Sequence, residues 1–194
     1  MSDAVSVVNQ ALLAVGADPI TTFGDETTES KVAAVRYAPI KRAFLRSYPW
    51  NCATRRVALT EYPTPPISGF DKQFNLPPNS VRILQVWAGD MQPEAYRNGE
   101  RAYSIEGSKL LINETAVSVV YVEDIPEAEF DSHVEEALVA KLAFEFSYTF
   151  VASNTTQQQF SVISEAKLQE ARTTDSLENP ATILRIDGLT RVRH

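Results

Sequence analysis

Apolar positions recur every three or four residues at both ends of this chain and close to every two in its middle. That change of period predicts helices, then strands, then helices again. The first helix runs from residue 3 to about residue 15, with Val5, Val8, Leu12 and Val15 on one stripe. Ser2 or Asp3 supplies its N-cap, and Gly16 is placed to end it in a left-handed conformation. A loop follows, with Asp18-Pro19 and Gly24-Asp25 as turn signals. The second helix spans 28 to about 47, and its apolar face is Ala33, Tyr37, Ile40 and Phe44. Pro39 lies inside it, so a kink or a weakened turn is expected there. Lys31, Arg36, Lys41, Arg42 and Arg46 form the opposite face, which reads as solvated or, in an oligomer, as meeting an acidic neighbour.

The stretch FLRSYPWNCATRRVAL, residues 44–59, is where the period changes. Pro49 has no backbone N–H and pushes Tyr48 out of the helical region, so the helix must end near Tyr48. Trp50 follows at once and reads as a core anchor at the helix–strand corner. Tyr48, Pro49 and Trp50 are therefore the expected structural junction. Residues 53–59 form a strand that opens a β region punctuated by Tyr62-Pro63-Thr64-Pro65-Pro66, Pro77-Pro78-Asn79 and Asn98-Gly99. Residues 81–87 and 117–122 read as strands, while 102–106 and 109–113 flank Gly107-Ser108 as a hairpin. Four to six short strands in sequence-adjacent order suggest an antiparallel meander or small sandwich.

Helical spacing returns with Ser132-His133-Val134-Glu135, which has the form of a capping box, behind an acidic Asp131. Val134, Leu138, Leu142 and Phe146 recur every four residues, and Ala137, Phe144, Tyr148 and Val151 widen the stripe, so this helix should be the most buried. Ser153 to Thr156 breaks it. A more polar outer helix over about 157–174 places Phe160, Ile163, Lys167 and Ala171 on one side. Beyond Asp175 the periodicity fades, and Asn179-Pro180 marks the end of regular structure. The predicted class is α+β: a helical body from residues 1–52 and 131–175, an inserted antiparallel β region over 53–130, and an extended tail over 176–194. The tail carries Ile183, Leu184, Ile186 and Leu189 with Arg185, Arg191 and Arg193 against one Asp187. A frayed terminus is seldom so rich in aliphatics, and the pattern fits a segment that orders on binding a partner.

Composition narrows the function classes. A chain of 194 residues, 44% hydrophobic and 22% charged, can bury a core of its own. A net charge of -7 argues against wrapping duplex DNA. The N-terminus lacks the basic stretch of a signal peptide, and no apolar run approaches the ~20 residues that span a bilayer. The lone Cys52 excludes an intrachain disulfide and has no neighbouring histidine, so it reads as a small core residue. His133 reads as a surface residue of a first helical turn, and His194 is terminal. No catalytic, metal-ligating or cofactor-binding set is assigned. Glu123, Asp124, Glu127, Glu129 and Asp131 contain enough carboxylates for glycoside hydrolysis, although such a run more often leads into a helix N-terminus.

Taken in order, these features resemble the head-to-tail adaptors of short-tailed (podovirus) phages, the tail tubular protein A family. The resemblance begins at VVNQALLAVGADPITTFGDET, a helix ending in glycine, a Pro-Ile turn and an acidic loop. It continues through AAVRYAPIKRAFLRSYPWNCATRRVAL, where Tyr37, Leu45, Pro49, Trp50, Ala53 and Leu59 match the family pattern. FNLPPNSVRILQV, with Leu76, Pro77, Arg82 and Val86, looks like the family's Leu-Pro approach to a strand, and VVYVEDIPEAEFDSHVEEALVAKLAFEFSY matches in its spacing. The match is co-linear over roughly residues 3 to 175. It implies a structural virion protein, not an enzyme and without cofactors, assembled in the host cytoplasm into the phage tail. By resemblance, roughly twelve copies form a closed ring between the portal protein and a tail nozzle protein, tail tubular protein B or an equivalent. DNA would pass through the ring without specific binding, and no membrane would be involved. The tail lies beyond the matched stretch, and its own aliphatic and basic residues named above are what suit it to bind the portal. Two other readings fit the residues alone: a cell-wall or capsule-degrading glycoside hydrolase of a phage tail, and a generic binding module.

Overall fold

A computed structural model describes residues 2–88 and 103–178. Helices α1 (Ala4–Ala14) and α2 (Thr28–Ser47) precede strands β1 (Thr54–Ala58), β2 (Lys72–Asn75), β3 (Ser80–Ala88), β4 (Tyr103–Glu106), β5 (Lys109–Ile112) and β6 (Val117–Glu123). Helices α3 (Ser132–Phe150) and α4 (Asn154–Glu178) close the order, so the fold is α+β with the β region inserted between helices. The Asn98-Gly99 turn and the tail residues Ile183, Leu184, Arg185, Ile186, Leu189, Arg191 and Arg193 lie outside the described residues.

Local chemistry accounts for the helix limits. The Asp3 carboxylate accepts the Ser6 N–H at 2.7 Å and caps α1. At the other end Gly16 has φ 77, and the Ala17 and Gly16 amides bond back to Leu12 and Leu13 carbonyls in a Schellman closure. Thr27 caps α2 through Ser30 N–H, and the extended Tyr48 ends it before Pro49. Pro39 does not interrupt α2, which runs through it. The capping box expected at Ser132 is absent: Asp131 occupies the N-cap position and makes no side-chain cap bond. Glu135 instead accepts from Ser2 Oγ (2.9 Å) and Gln10 Nε2 (3.0 Å), tying α3 to α1.

One core gathers residues from all four helices. Val8 and Leu12 of α1, Tyr37 and Phe44 of α2, Leu138, Leu142 and Phe146 of α3 and Ala171 of α4 join it. The helices from the two ends of the chain thus build one body, because neither pair has an apolar face wide enough to close a core alone. The outer helix turns Phe160 and Ala171 inward as expected, but the rest of its inner face differs. Ser164, Ala171 and Asp175 are buried and Phe160 and Leu168 pack on the core, whereas Ile163 is 52% exposed. Helix α4 also starts and ends farther out than its sequence pattern indicated, so residues 176–178 are helical and not part of an extended tail.

The strands do not form a meander. They form two three-stranded antiparallel sheets, ordered β1-β6-β3 and β2-β5-β4. Only the β4–β5 hairpin pairs sequence neighbours, turning at Gly107 with φ 58. Side chains from both sheets share a second core, Phe74, Leu110 and Ile112 from one and Val86, Val117 and Val119 from the other. The arrangement is the small sandwich with long-range pairings. The first sheet is the middle layer. Val119 and Tyr121 of β6 face the second sheet, while Val122 faces the helices, so β6 reads as an almost unbroken apolar run. A register shift in β3 lets Val81 join the helical core while Ile83 packs on the sandwich core, although the two positions have the same parity.

Candidate functional site

The corner after α2 is built around Trp50, which is fully buried. Its ring stacks on Phe44 at 5.1 Å and tilts against Tyr48 at 4.7 Å, and its indole N–H reaches the Phe44 carbonyl at 3.4 Å. Tyr48 lies half-buried with its hydroxyl 3.4 Å from the Arg172 carbonyl, and Pro49 is exposed. The three junction residues therefore divide the work: Pro49 stops the helix, and the two rings carry the packing.

Beside this corner lies a buried polar group that the sequence did not disclose. Asp175 is 1% exposed, and its carboxylate accepts the Asn51 backbone N–H at 2.9 Å. The Asn51 side chain donates in turn to the Asp175 carbonyl at 2.6 Å. Burial raises the Asp175 pKa, opposed by the Asn51 hydrogen bond and by His133. His133 is half-buried, its Nε2 is 4.0 Å from the carboxylate and has no hydrogen-bond partner among the described residues. It is not the plain surface residue expected. The only signal available in the sequence was Asp175 falling four residues after Ala171, on the face of α4 that turns inward. Cys52 is half-buried nearby, and burial pushes its thiol up to about 11, which leaves it a poor nucleophile at neutral pH.

The acidic run is neither a solvated loop nor a free carboxylate pair. Lys41 Nζ meets Glu127 at 2.8 Å and Asp124 at 3.3 Å, and the Tyr37 hydroxyl donates to Glu127 at 2.7 Å. Arg55 spans Glu123 at 3.3 Å and Glu129 at 2.6 Å. Burial opposes ionisation of Glu127, but the Lys41 and Tyr37 bonds outweigh it and leave its pKa lowered. These carboxylates fasten the connection between β6 and α3 to α2 and β1. Four of the five carboxylates of the run are engaged by Lys41 or Arg55, and Asp131 takes the N-cap position of α3.

Two cations expected on the solvated face of α2 are likewise used internally. Lys41 is drawn into the acidic loop, and Arg46 donates to the Val81 carbonyl. Arg36 pairs with Glu145, which Lys141 also contacts at 3.2 Å. Lys31 and Arg42 remain exposed with no ion pair among the described residues.

Between α2, α3 and α4 the molecule opens into a groove of about 800 Å³. Val35, Pro39, Ile40, Ala43, Phe144 and Leu168 give it an apolar lining, with Glu145, Glu165 and Arg172 among the polar residues at its edges. Val35 is 71% exposed. The groove continues into a space of about 600 Å³ against Val32 and Tyr148, and Tyr148 is 61% exposed. Sequence spacing missed this surface because Val35 falls off the stripe of Ala33, Tyr37, Ile40 and Phe44 and reads as incidental. Among the described residues no group of three or more His, Cys, Asp or Glu could hold a metal ion, and no helix is long and apolar enough to cross a membrane.

No protein-family model matches the chain, and no curated protein matches it.

Proposed function

We propose that this chain is a structural head-to-tail adaptor of a short-tailed phage, forming a ring between the portal protein and the tail nozzle around the DNA exit channel. The observation that carries the reading is the co-linear resemblance over roughly residues 3 to 175, from the glycine-ended first helix to the spaced alanines and leucines of α3. Its quoted segments fall on coherent structural parts: the Tyr-Pro-Trp corner, the Leu-Pro approach to β3 and the buried helix α3. Three further features support it. The acidic balance of -7 suits a wall that DNA slides past, since fixed negative charge denies phosphates a binding site. The helical body leaves exposed faces for neighbours, among them the Lys31 and Arg42 face of α2. The aliphatic and basic residues Ile183, Leu184, Arg185, Ile186, Leu189, Arg191 and Arg193 suit insertion between portal subunits. The portal and a nozzle protein are the proposed partners, and the virion is the proposed location.

Negative-stain microscopy of the protein mixed with its portal tests this directly. A ring of extra density under the portal, with the same rotational order along its axis, is the expected result. Portal particles that stay bare at micromolar adaptor concentrations would remove the reading.

A further inference from the structure

The groove between α2, α3 and α4 has no occupant among the described residues, and the sequence after Glu178 has the composition to suit it. Helix α4 forms one wall, and the described chain stops at its end, Glu178. Arg172, at the groove edge, precedes Glu178 by six residues, about 9 Å along the helix, and Leu168 by ten, about 15 Å. Sixteen residues follow Glu178. Six residues in extended form reach about 20 Å, long enough for Leu184 to return as far as Leu168. We propose that residues 181–189 of the chain dock in this groove of the same molecule in the free subunit.

The chemistry of the two surfaces agrees. Ile183, Leu184, Ile186 and Leu189 would cover the exposed Val35 and the half-buried Ile40 and Leu168 of the lining. Glu165, exposed and without an ion pair among the described residues, stands ready for Arg185. A segment tethered this closely sees its own groove at an effective concentration on the order of millimolar, well above the concentration of other copies in dilute solution. That difference selects the chain's own tail over a neighbour's. Storage of the segment for the portal rests on the proposed function. Occupancy of the groove does not.

The test uses the full chain with Cys52→Ala, one cysteine in the tail (Leu184→Cys) and one at the groove (Ala43→Cys, an exposed position), treated with a short bismaleimide at low protein concentration. An intramolecular crosslink, mapped by peptide mass and absent when the second cysteine is at the fully exposed Ile67 on the β region, is the expected result. A crosslink that joins two chains and grows with concentration would seat the tail on a second copy and overturn the proposal. So would labelling no higher than the Ile67 control. In parallel, the full-length Leu184→Glu, Ile186→Glu double variant, checked for native helix content by circular dichroism, should bind an apolar dye several-fold more strongly as the groove empties. Unchanged dye binding would mean the groove was never covered. Both readouts concern the subunit alone, so a failure to bind portal leaves them standing.

Discussion

At the scale of single residues, two buried groups near the helix–strand corner matter most. Trp50 has no exposed surface and stacks between Phe44 and Tyr48. Removing it empties the space between α2 and the sheet, so Trp50→Ala should cost ~3–5 kcal/mol, read from urea unfolding. An unchanged midpoint together with lost assembly would make the residue part of an interface instead. Asp175 is the second case. Its native pKa is raised by burial, so the native state holds the proton more tightly than the unfolded chain. The stabilising contribution of that proton is complete below the unfolded value of about 4 and is lost as pH rises through the raised native value. Asp175→Asn keeps an oxygen for the Asn51 N–H and removes the buried charge. Its melting temperature should gain on wild type between pH 4 and pH 7, roughly the span from an ordinary carboxylate pKa to neutrality. Asp175→Ala strands that N–H and should cost ~1–3 kcal/mol. A melting curve for Asp175→Asn that tracks wild type at every pH would show that the carboxylate feels no desolvation.

At the scale of elements, α2 is the piece under most competing demands. It packs Tyr37, Phe44 and Leu45 inward, sends Lys41 and Arg46 to the β region, and lends Val35 and Ala43 to the groove, all while holding Pro39 in its interior. Proline there cannot donate to the Val35 carbonyl, four residues back, and its ring crowds that turn. Pro39 is exposed, so nothing in the packing requires a proline ring at that point. Pro39→Ala should therefore stabilise the protein by ~1–3 kcal/mol, seen as a rise in melting temperature. A fall would mean that the proline ring, which lines the groove, contributes packing that alanine cannot replace. The sheets show the opposite economy. Strand β6 pairs with both β1 and β3, so the first and last strands of the inserted region lie side by side, and the region closes where it joins the helical body.

At the scale of the whole molecule, one helical core and one sandwich core share the sheet β1-β6-β3. Among the described residues, neither hydrophobic core includes one beyond Ala171. Truncation after Pro180 should accordingly lower the melting temperature only slightly while abolishing co-sedimentation with the portal. Unfolding of the truncated chain would place the tail in the core. Normal portal binding by it would move the docking surface elsewhere, to the exposed Lys31 and Arg42 face of α2.

Features carried by neighbours in the chain were legible in the sequence. The end of α2 follows from Pro49, which stops it. The end of α1 follows from Gly16, and the β4–β5 hairpin from Gly107, because capping and turning are local contests among adjacent backbone groups. The burial of Val134, Leu138, Leu142 and Phe146 was legible for a related reason: period alone fixes which residues share a helix face. Partner choice was not. Nothing near Thr54 in the chain says that it pairs with Val122, and the spacing of Ile163 and Lys167 did not reveal that α4 turns Ser164 and Asp175 inward. Glu135 had the spacing of a capping box and went to α1; Glu127 had the look of a solvated loop and took Lys41 and Tyr37. In each case the decisive partner lies many residues away and is reached only once the chain has folded, so tertiary structure decided which of several locally adequate bonds each side chain makes.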